Sequence, residues 1–325
     1  IHWRFKKQND VLYAFYDLQV SPATFDIFKF LLLAEKNCVE NGLKKLHVAI
    51  VPGMKDGFRD DNFTPYDNEN KRWRLKNILI PACLMLKSIT SVSVLSSREE
   101  AQAIQSSLAK YIFPKDYSVS FPKENYDLKH ITNIDDLPSI QTTPFARHFI
   151  KEWLDNRTIC EKVITVTLRE CNYEKERNSN CKEWGAFLKS IDRSLYYPIL
   201  IRDNDVADSD LPPELDGLQV FPEVVWNLEL RAALYEISYL NMFVNGGLAS
   251  FCRWNKNARS LTFKMITPSI GVTTESFFKY QGLIPGTQLK QVSPMHRLIW
   301  EDDNYKVLIR EFNNMCKIIE SSTNN

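Results

Sequence analysis

Short apolar, β-branched runs alternate with amphipathic stretches along both halves of this 325-residue chain, and few folds accept that pattern. Strands separated by crossover helices pair in parallel, so the alternation predicts parallel sheets covered by helices. In the first half, strands are expected at Val11–Leu18, Leu46–Val51, Ser91–Leu95 and Tyr117–Phe121. Ser21-Pro22 reads as a cap with proline at the first helical position, opening a helix that runs out near Gly42. Further helices are expected over Arg72–Leu86, with Pro81 as a kink or break, and over Arg98–Leu108.

Between Pro122 and Pro144 the periodicity lapses into Lys123, Asn125, Asp127, Asp135 and Asp136, which is a linker signature. A helix from Pro144 to Asn156 opens a second series. Its strands are Lys162–Arg169, Tyr197–Arg202, Leu218–Phe221, Met242–Asn245 and Leu261–Met265. Its helices are Ser179–Ile191, Leu228–Leu240, a segment after Gly246, Thr274–Tyr280 and Asn304–Ile319. The expected fold class is α/β: two doubly wound Rossmann-like domains, 1–143 and 144–303, facing a cleft. The last helix, within 304–325, is expected to cross back to the first domain.

Bulk properties narrow the function. The chain is 44% hydrophobic and 25% charged, enough for sizeable cores. A net charge of +1 argues against a surface built to neutralise nucleic acid or acidic lipid, so any phosphate binding is local. Cys38, Cys83, Cys160, Cys171, Cys181, Cys252 and Cys316 are odd in number and show no C-x-x-C spacing, the pattern of reduced thiols in a cytoplasmic protein. His2, His47, His130, His148 and His296 never fall four apart, so no zinc site is expected. The apolar runs are too short or too interrupted to span a bilayer. The chain opens on Ile1 and not on Met, which leaves room for a larger polypeptide.

Chemistry concentrates where strands of the second half end. The run Val163–Leu168 stops at Arg169-Glu170, crosses a polar loop and re-enters structure at Arg177-Asn178-Ser179-Asn180. Guanidinium forks and a helix N-terminus beyond a strand's carboxyl end suit a phosphate or pyrophosphate. The weaker alternative for Arg169 is a surface arginine paired with Glu170 or Glu174. Another strand ends at Arg202-Asp203, and a third at Asn245-Gly246-Gly247, where glycines let a ligand approach the backbone or simply supply a tight turn. Glu223 sits in a loop at the same edge and is placed to accept from a ribose or base. In the first half Asp17 follows Tyr13-Ala14-Phe15-Tyr16 and reads as a general base or as a helix cap. Asp56, Asp60, Asp61 and His47 are the substitutes, and the loop Gly57–Asp61 suggests acceptor binding. Glu301-Asp302-Asp303 precedes a helix and reads as structural. No G-x-G-x-x-G, Walker A, G-x-S-x-G or H-E-x-x-H motif is present.

Val166-Thr167-Leu168-Arg169-Glu170 with Arg177-Asn178-Ser179, and Asn241–Gly247, resemble the donor-binding strand ends of GT-B glycosyltransferases of the fucosyltransferase-like and heptosyltransferase-like kind. The resemblance covers mainly Glu161–Met265. It departs at Leu168, where several fucosyltransferase relatives carry arginine or histidine, so GDP-fucose is not implied. The resemblance implies metal-independent sugar transfer from a nucleotide diphosphate sugar to a glycan or other hydroxyl acceptor, as in polysaccharide synthesis, with no further cofactor. Arg169, Arg177, Asn178, Ser179, Arg202, Glu223, Asn245, Gly246 and Gly247 would hold the donor. Asp17 and Arg169 would act in catalysis. The competing expectations are a nucleotide-sugar epimerase and a catalytically silent GT-B-like binding module of a larger polysaccharide-synthesis protein.

Overall fold

The computed structural model describes residues 8–60, 66–107, 109–124, 131 and 134–323. It divides into two compact units, Ile1–Gln141 and Thr142–Asn325.

The first unit carries β1 (Gln8–Asp17), α1 (Ile27–Glu40), β2 (Lys45–Val51), α2 (Asn68–Arg74), α3 (Ile80–Cys83), β3 (Ile89–Val94), α4 (Arg98–Ser107) and β4 (Ala109–Phe113). The four strands form a parallel sheet in the order β3-β2-β1-β4. The two-residue period of β1 sends Val11, Tyr13 and Phe15 into one core, with Ala49, Val51 and Tyr117. Tyr16, on the opposite face, meets Phe30 of α1 edge to face at 5.1 Å. Between α2 and α3 the helix takes one π turn, Leu75–Leu79. That turn precedes Pro81, whose missing N–H then falls in the first turn of α3.

Two sequence expectations fail here. The first helix begins at Ile27 and not at Pro22, because side chains claim the intervening carbonyls: Tyr16 donates to Pro22 (2.6 Å), Arg59 to Val20 (2.9 Å) and Arg74 to Ala23 (2.7 Å). Tyr117–Phe121 is not a strand; the strand is β4, directly after α4. Tyr117 and Val119 are buried, but their carbonyls accept from Gln105 and Arg98 and not from a neighbouring strand. Among its described residues the expected linker carries one 3-10 turn, Ile134–Asp136, while Asn125 and Asp127 lie outside the described residues.

The second unit carries α5 (Pro144–Asp155), β5 (Lys162–Thr167), α6 (Cys181–Ser190), β6 (Tyr196–Ile201), β7 (Gln219–Val220), α7 (Glu223–Trp226), α8 (Leu228–Ile237), β8 (Leu240–Val244), α9 (Gly247–Arg253), β9 (Ser260–Phe263), α10 (Glu275–Tyr280), β10 (His296–Leu298) and α11 (Tyr305–Thr323). Six parallel strands run in the order β10-β9-β8-β5-β6-β7. Chain progress reverses between β5 and β8, and that junction is the switch point where open α/β sheets leave a ligand crevice. Polar pairs lock it: Thr165 of β5 donates to Asn241 of β8 at 2.5 Å, and Thr167 bonds the Tyr235 hydroxyl at 2.9 Å. Val307, Leu308, Phe312, Met315 and Ile319 give α11 an apolar face that packs in the second unit's core with Phe187, Leu200 and Ile164.

Candidate functional site

The carboxyl ends of β5 and β8 bring together Arg169, Arg177, Asn178, Ser179, Asn245, Gly246 and Gly247. Beyond β5 the chain makes a compact loop that is stitched to itself. Arg169 exchanges backbone and side-chain bonds with Ser179, its N–H reaching the hydroxyl at 2.9 Å while its carbonyl accepts from the Ser179 amide at 2.9 Å. Its guanidinium donates to the carbonyls of Glu174 (3.1 Å) and Tyr173 (3.3 Å) and to the Asn178 side chain. Asn178 closes the loop through both backbone groups of Cys171 (3.2 and 2.8 Å).

Arg177 crosses to the next strand. It pairs with Glu174 at 2.7 Å and reaches the carbonyl of Asn245 at 3.3 Å. Its Nε is buried without a partner, which leaves a donor unsatisfied at the switch point. Across from it, Asn245 is fixed by Met265 (Nδ2 to carbonyl, 3.0 Å) and leads into Gly246. Gly246 has φ −176°, a conformation open to any residue, and a Cβ there would meet only the Val244 carbonyl at 3.9 Å. Neither a tight turn nor internal packing demands glycine at this point, so the turn explanation for Gly246 fails.

The remaining expectations fare differently. Arg202 is 4% exposed and is consumed by a bidentate pair with Glu170 (3.0 and 2.6 Å) and by the carbonyls of Ser209 and Asp210. The Glu170 carboxylate raises the Arg202 pKa above its ordinary value. Asp203 holds neither arginine; it accepts from the Glu170 amide (3.2 Å) and the Cys171 thiol (2.9 Å). Burial, followed by that carboxylate, pushes the Cys171 thiol up to about 12. The start of α6 is already served, since Asn180 accepts from the Glu183 amide, and Asp303 accepts from the Asn180 amide and the Trp184 indole, both at 2.8 Å. Its first turn therefore meets a protein carboxylate. Glu223 is exposed in the first turn of α7, beyond the edge strand β7 and two strands from β5.

Sequence reading missed Lys264, which directly follows β9 in a left-handed conformation (φ 53°) and donates to the Asn178 carbonyl at 3.0 Å. Glu174, which the sequence offered only as a pairing partner for Arg169, is likewise left-handed at φ 47°. Arg231 of α8 was missed too; it is 3% exposed, with Nε on the Val224 carbonyl (2.6 Å) and a buried Nη2 without partner. Burial holds its pKa below the ordinary arginine value. A basic residue at a strand end was the available signal for Lys264.

In the first unit, Asp17 is 2% exposed. Its oxygens accept from both Arg98 terminal nitrogens (2.8 and 2.8 Å), from the Tyr117 hydroxyl (2.7 Å) and from the Gln19 amide (2.9 Å). No helix starts near Pro22 for it to cap. Arg98 lies above its ordinary pKa because it bonds Asp17. Among the substitutes, His47 lies in the amino-terminal half of β2, with Nδ1 on Ser91 (2.6 Å) and burial holding its pKa below the usual value. Asp60 pairs with Lys55 (3.0 Å), Asp56 accepts from Asn68 (2.8 Å) with φ 52°, and Asp61 lies outside the described residues. The expected acceptor loop is a tight hairpin, Gly53 bridging Gly57. Its Phe58 and Arg59 line a small dent with Ser21, Ala23, Thr24, Tyr66 and Lys71.

Among the described residues no helix is long and apolar enough to cross a membrane. No protein-family model matches the sequence, and a search of curated proteins returns no relative. Solved structures do resemble it. The family 9 glycosyl transferase from Veillonella parvula aligns over 96% of this chain and 98% of its own, at 9% identity and a TM-score of 0.56. Looser likenesses are to E. coli ADP-heptose LPS heptosyltransferase II (TM-score 0.40, 11% identity, 96% and 77% covered) and the iron-containing heptosyltransferase TibC (0.44, 13%, 98% and 78%). The parallel sheets of both units and the end-to-end match to the Veillonella parvula structure give this chain the GT-B glycosyltransferase fold of two Rossmann-like units.

Proposed function

We propose that this protein transfers a sugar from a nucleoside diphosphate sugar to an acceptor hydroxyl, and that the second unit binds the donor at the β5/β8 switch point. The observation that carries the reading is Arg177, which spans from the β5 loop to the β8 turn with a buried, unpartnered Nε beside a glycine that the fold itself does not require. The diphosphate would lie along Asn245–Gly247, in contact with Arg177 and Arg169, and Arg169 also holds the loop that presents it. Two guanidinium groups supply fixed positive charge to the departing diphosphate, and preorganised charge of that kind lowers the barrier most where charge develops. We propose that this charge replaces a divalent cation.

In this reading Asn178, Ser179 and Arg202 shape the loop and do not touch the donor. Asp17 acts as an anchor, and the exposed carboxylates Asp56 and Asp60 are the bases beyond β2. Scattered free cysteines suit work in the cytoplasm.

The test is calorimetric titration with ADP, UDP, GDP and CDP. One of them should bind the wild type, and Arg177→Ala should weaken it by about a hundredfold, the worth of a strong charge-assisted contact of about 2–3 kcal/mol. Binding unchanged in Arg177→Ala refutes the site. Conversion of the nucleotide sugar without an acceptor would favour an epimerase.

A further inference from the structure

One carboxylate oxygen stands between the two arginines of the candidate site. Glu174 Oε2 lies 2.7 Å from Arg177 Nη1 and 3.7 Å from Arg169 Nη2, and these three side chains are only 24%, 16% and 10% exposed. Its backbone is left-handed, φ 47° and ψ 50°, a conformation that non-glycine residues adopt at a cost and that persists where surroundings enforce it. The Glu174 carbonyl accepts from the Arg169 guanidinium (3.1 Å) and the Arg177 amide (2.9 Å), while its carboxylate accepts from Arg177 Nη1 (2.7 Å). Meanwhile the Arg177 Nε stays buried and unsatisfied, so the glutamate fills only part of the available hydrogen-bonding capacity.

We infer that the Glu174 carboxylate occupies the place of a donor phosphate, and that a nucleoside diphosphate displaces it on binding. The inference rests on the donor-site reading above. A diphosphate has the oxygens to satisfy both arginines and the idle Nε, which one carboxylate does not. Displacement also releases the Glu174 side chain from both guanidinium groups. Glu174 thereby acts as a specificity-determining residue: a ligand with one weakly charged group gains little by replacing it, while a diphosphate gains much.

The experiment compares dissociation constants for the diphosphate that binds best and for the matching uncharged nucleoside. Glu174→Gln should tighten the diphosphate by about tenfold, the loss of one charge-assisted competitor, and leave the nucleoside unchanged. Glu174→Gly, which suits the left-handed backbone, should do the same if the glutamine variant disturbs the loop. Glu176→Gln removes an equal charge from the exposed side of the loop and should shift the constant by less than about twofold. Equal tightening by Glu176→Gln, or none by either Glu174 variant while Arg177→Ala abolishes binding, overturns the inference alone. Wild-type binding by Arg177→Ala overturns the donor site and this inference together.

Discussion

Asp17→Asn separates a structural anchor from a catalytic base. The carboxylate ties three places in the first unit: the end of β1, the first residue of α4 through Arg98, and Tyr117 beyond β4. Asparagine keeps the shape but offers one acceptor oxygen, and its amide group meets an Arg98 N–H, donor against donor. Arg98 would remain only 13% exposed with the carbonyls of Pro52 and Val119 as partners and no counter-charge. Removing one member of a buried pair costs about 3–5 kcal/mol, and partial access of water to Arg98 favours the lower end, about 3 kcal/mol. With a urea slope of about 2 kcal/mol/M, the first unit's midpoint should fall by about 1.5 M. Hydrogen exchange on β1 peptides across a urea series reads that unit alone. Pairing the variant with Arg98→Met should recover more than about 1 kcal/mol relative to the sum of the single changes, because the stranded charge is gone. A midpoint within about 0.3 M of wild type, together with lost sugar transfer, would refute the anchor and restore Asp17 as the base.

Gly246→Ala should leave thermal stability unchanged or slightly raised, since its Cβ has room and alanine narrows the unfolded ensemble, yet it should weaken diphosphate binding in calorimetry; equal binding would move the donor off this turn. Gly185→Ala should do the reverse, losing about 1–3 kcal/mol in urea unfolding, because its Cβ would stand 2.2 Å from the Glu214 carbonyl oxygen. His296 is neutral in the fold, bonded to Ser260 and Asn255, and burial holds its pKa down at about 4 against 6.5 unfolded. The unfolded chain therefore gains a proton first as pH falls. This contribution is complete above 6.5 and is lost progressively down to about 4, roughly 3 kcal/mol in all. Urea midpoints at several pH values in that window, for wild type and His296→Gln, should diverge accordingly.

The strand–helix alternation was legible because burial on both sheet faces writes itself into uncharged, β-branched runs such as Val163–Leu168. What escaped depended on partners distant in sequence. β4 was hidden because Lys110 breaks its apolar run and because Tyr117 and Val119 bury without pairing. The three residues of β10 are too few for a period to appear. At the site, a basic strand end was readable at Arg169 and Arg202 alike. The two became distinguishable only once β5 and β6 paired, Thr167 opposite Ile201, and the chain beyond β5 turned Glu170 onto Arg202. The self-stitching of the 170–178 loop is likewise a property of its folded path, which no local propensity announces.

The reversal of strand order at β5 also governs how the second unit can be assembled. As the chain leaves a ribosome, β5, β6 and β7 can pair in turn through nearby crossovers. The other edge of β5 must wait for β8, whose Asn241 lies 76 residues beyond Thr165. Until then Val163–Thr167, β-branched and uncharged, is an open sheet edge of the kind that recruits foreign strands. In the finished unit this strand is the innermost support of the candidate site. During synthesis it is the surface most in need of a chaperone, and truncation before Leu240 would yield an aggregating half-sheet.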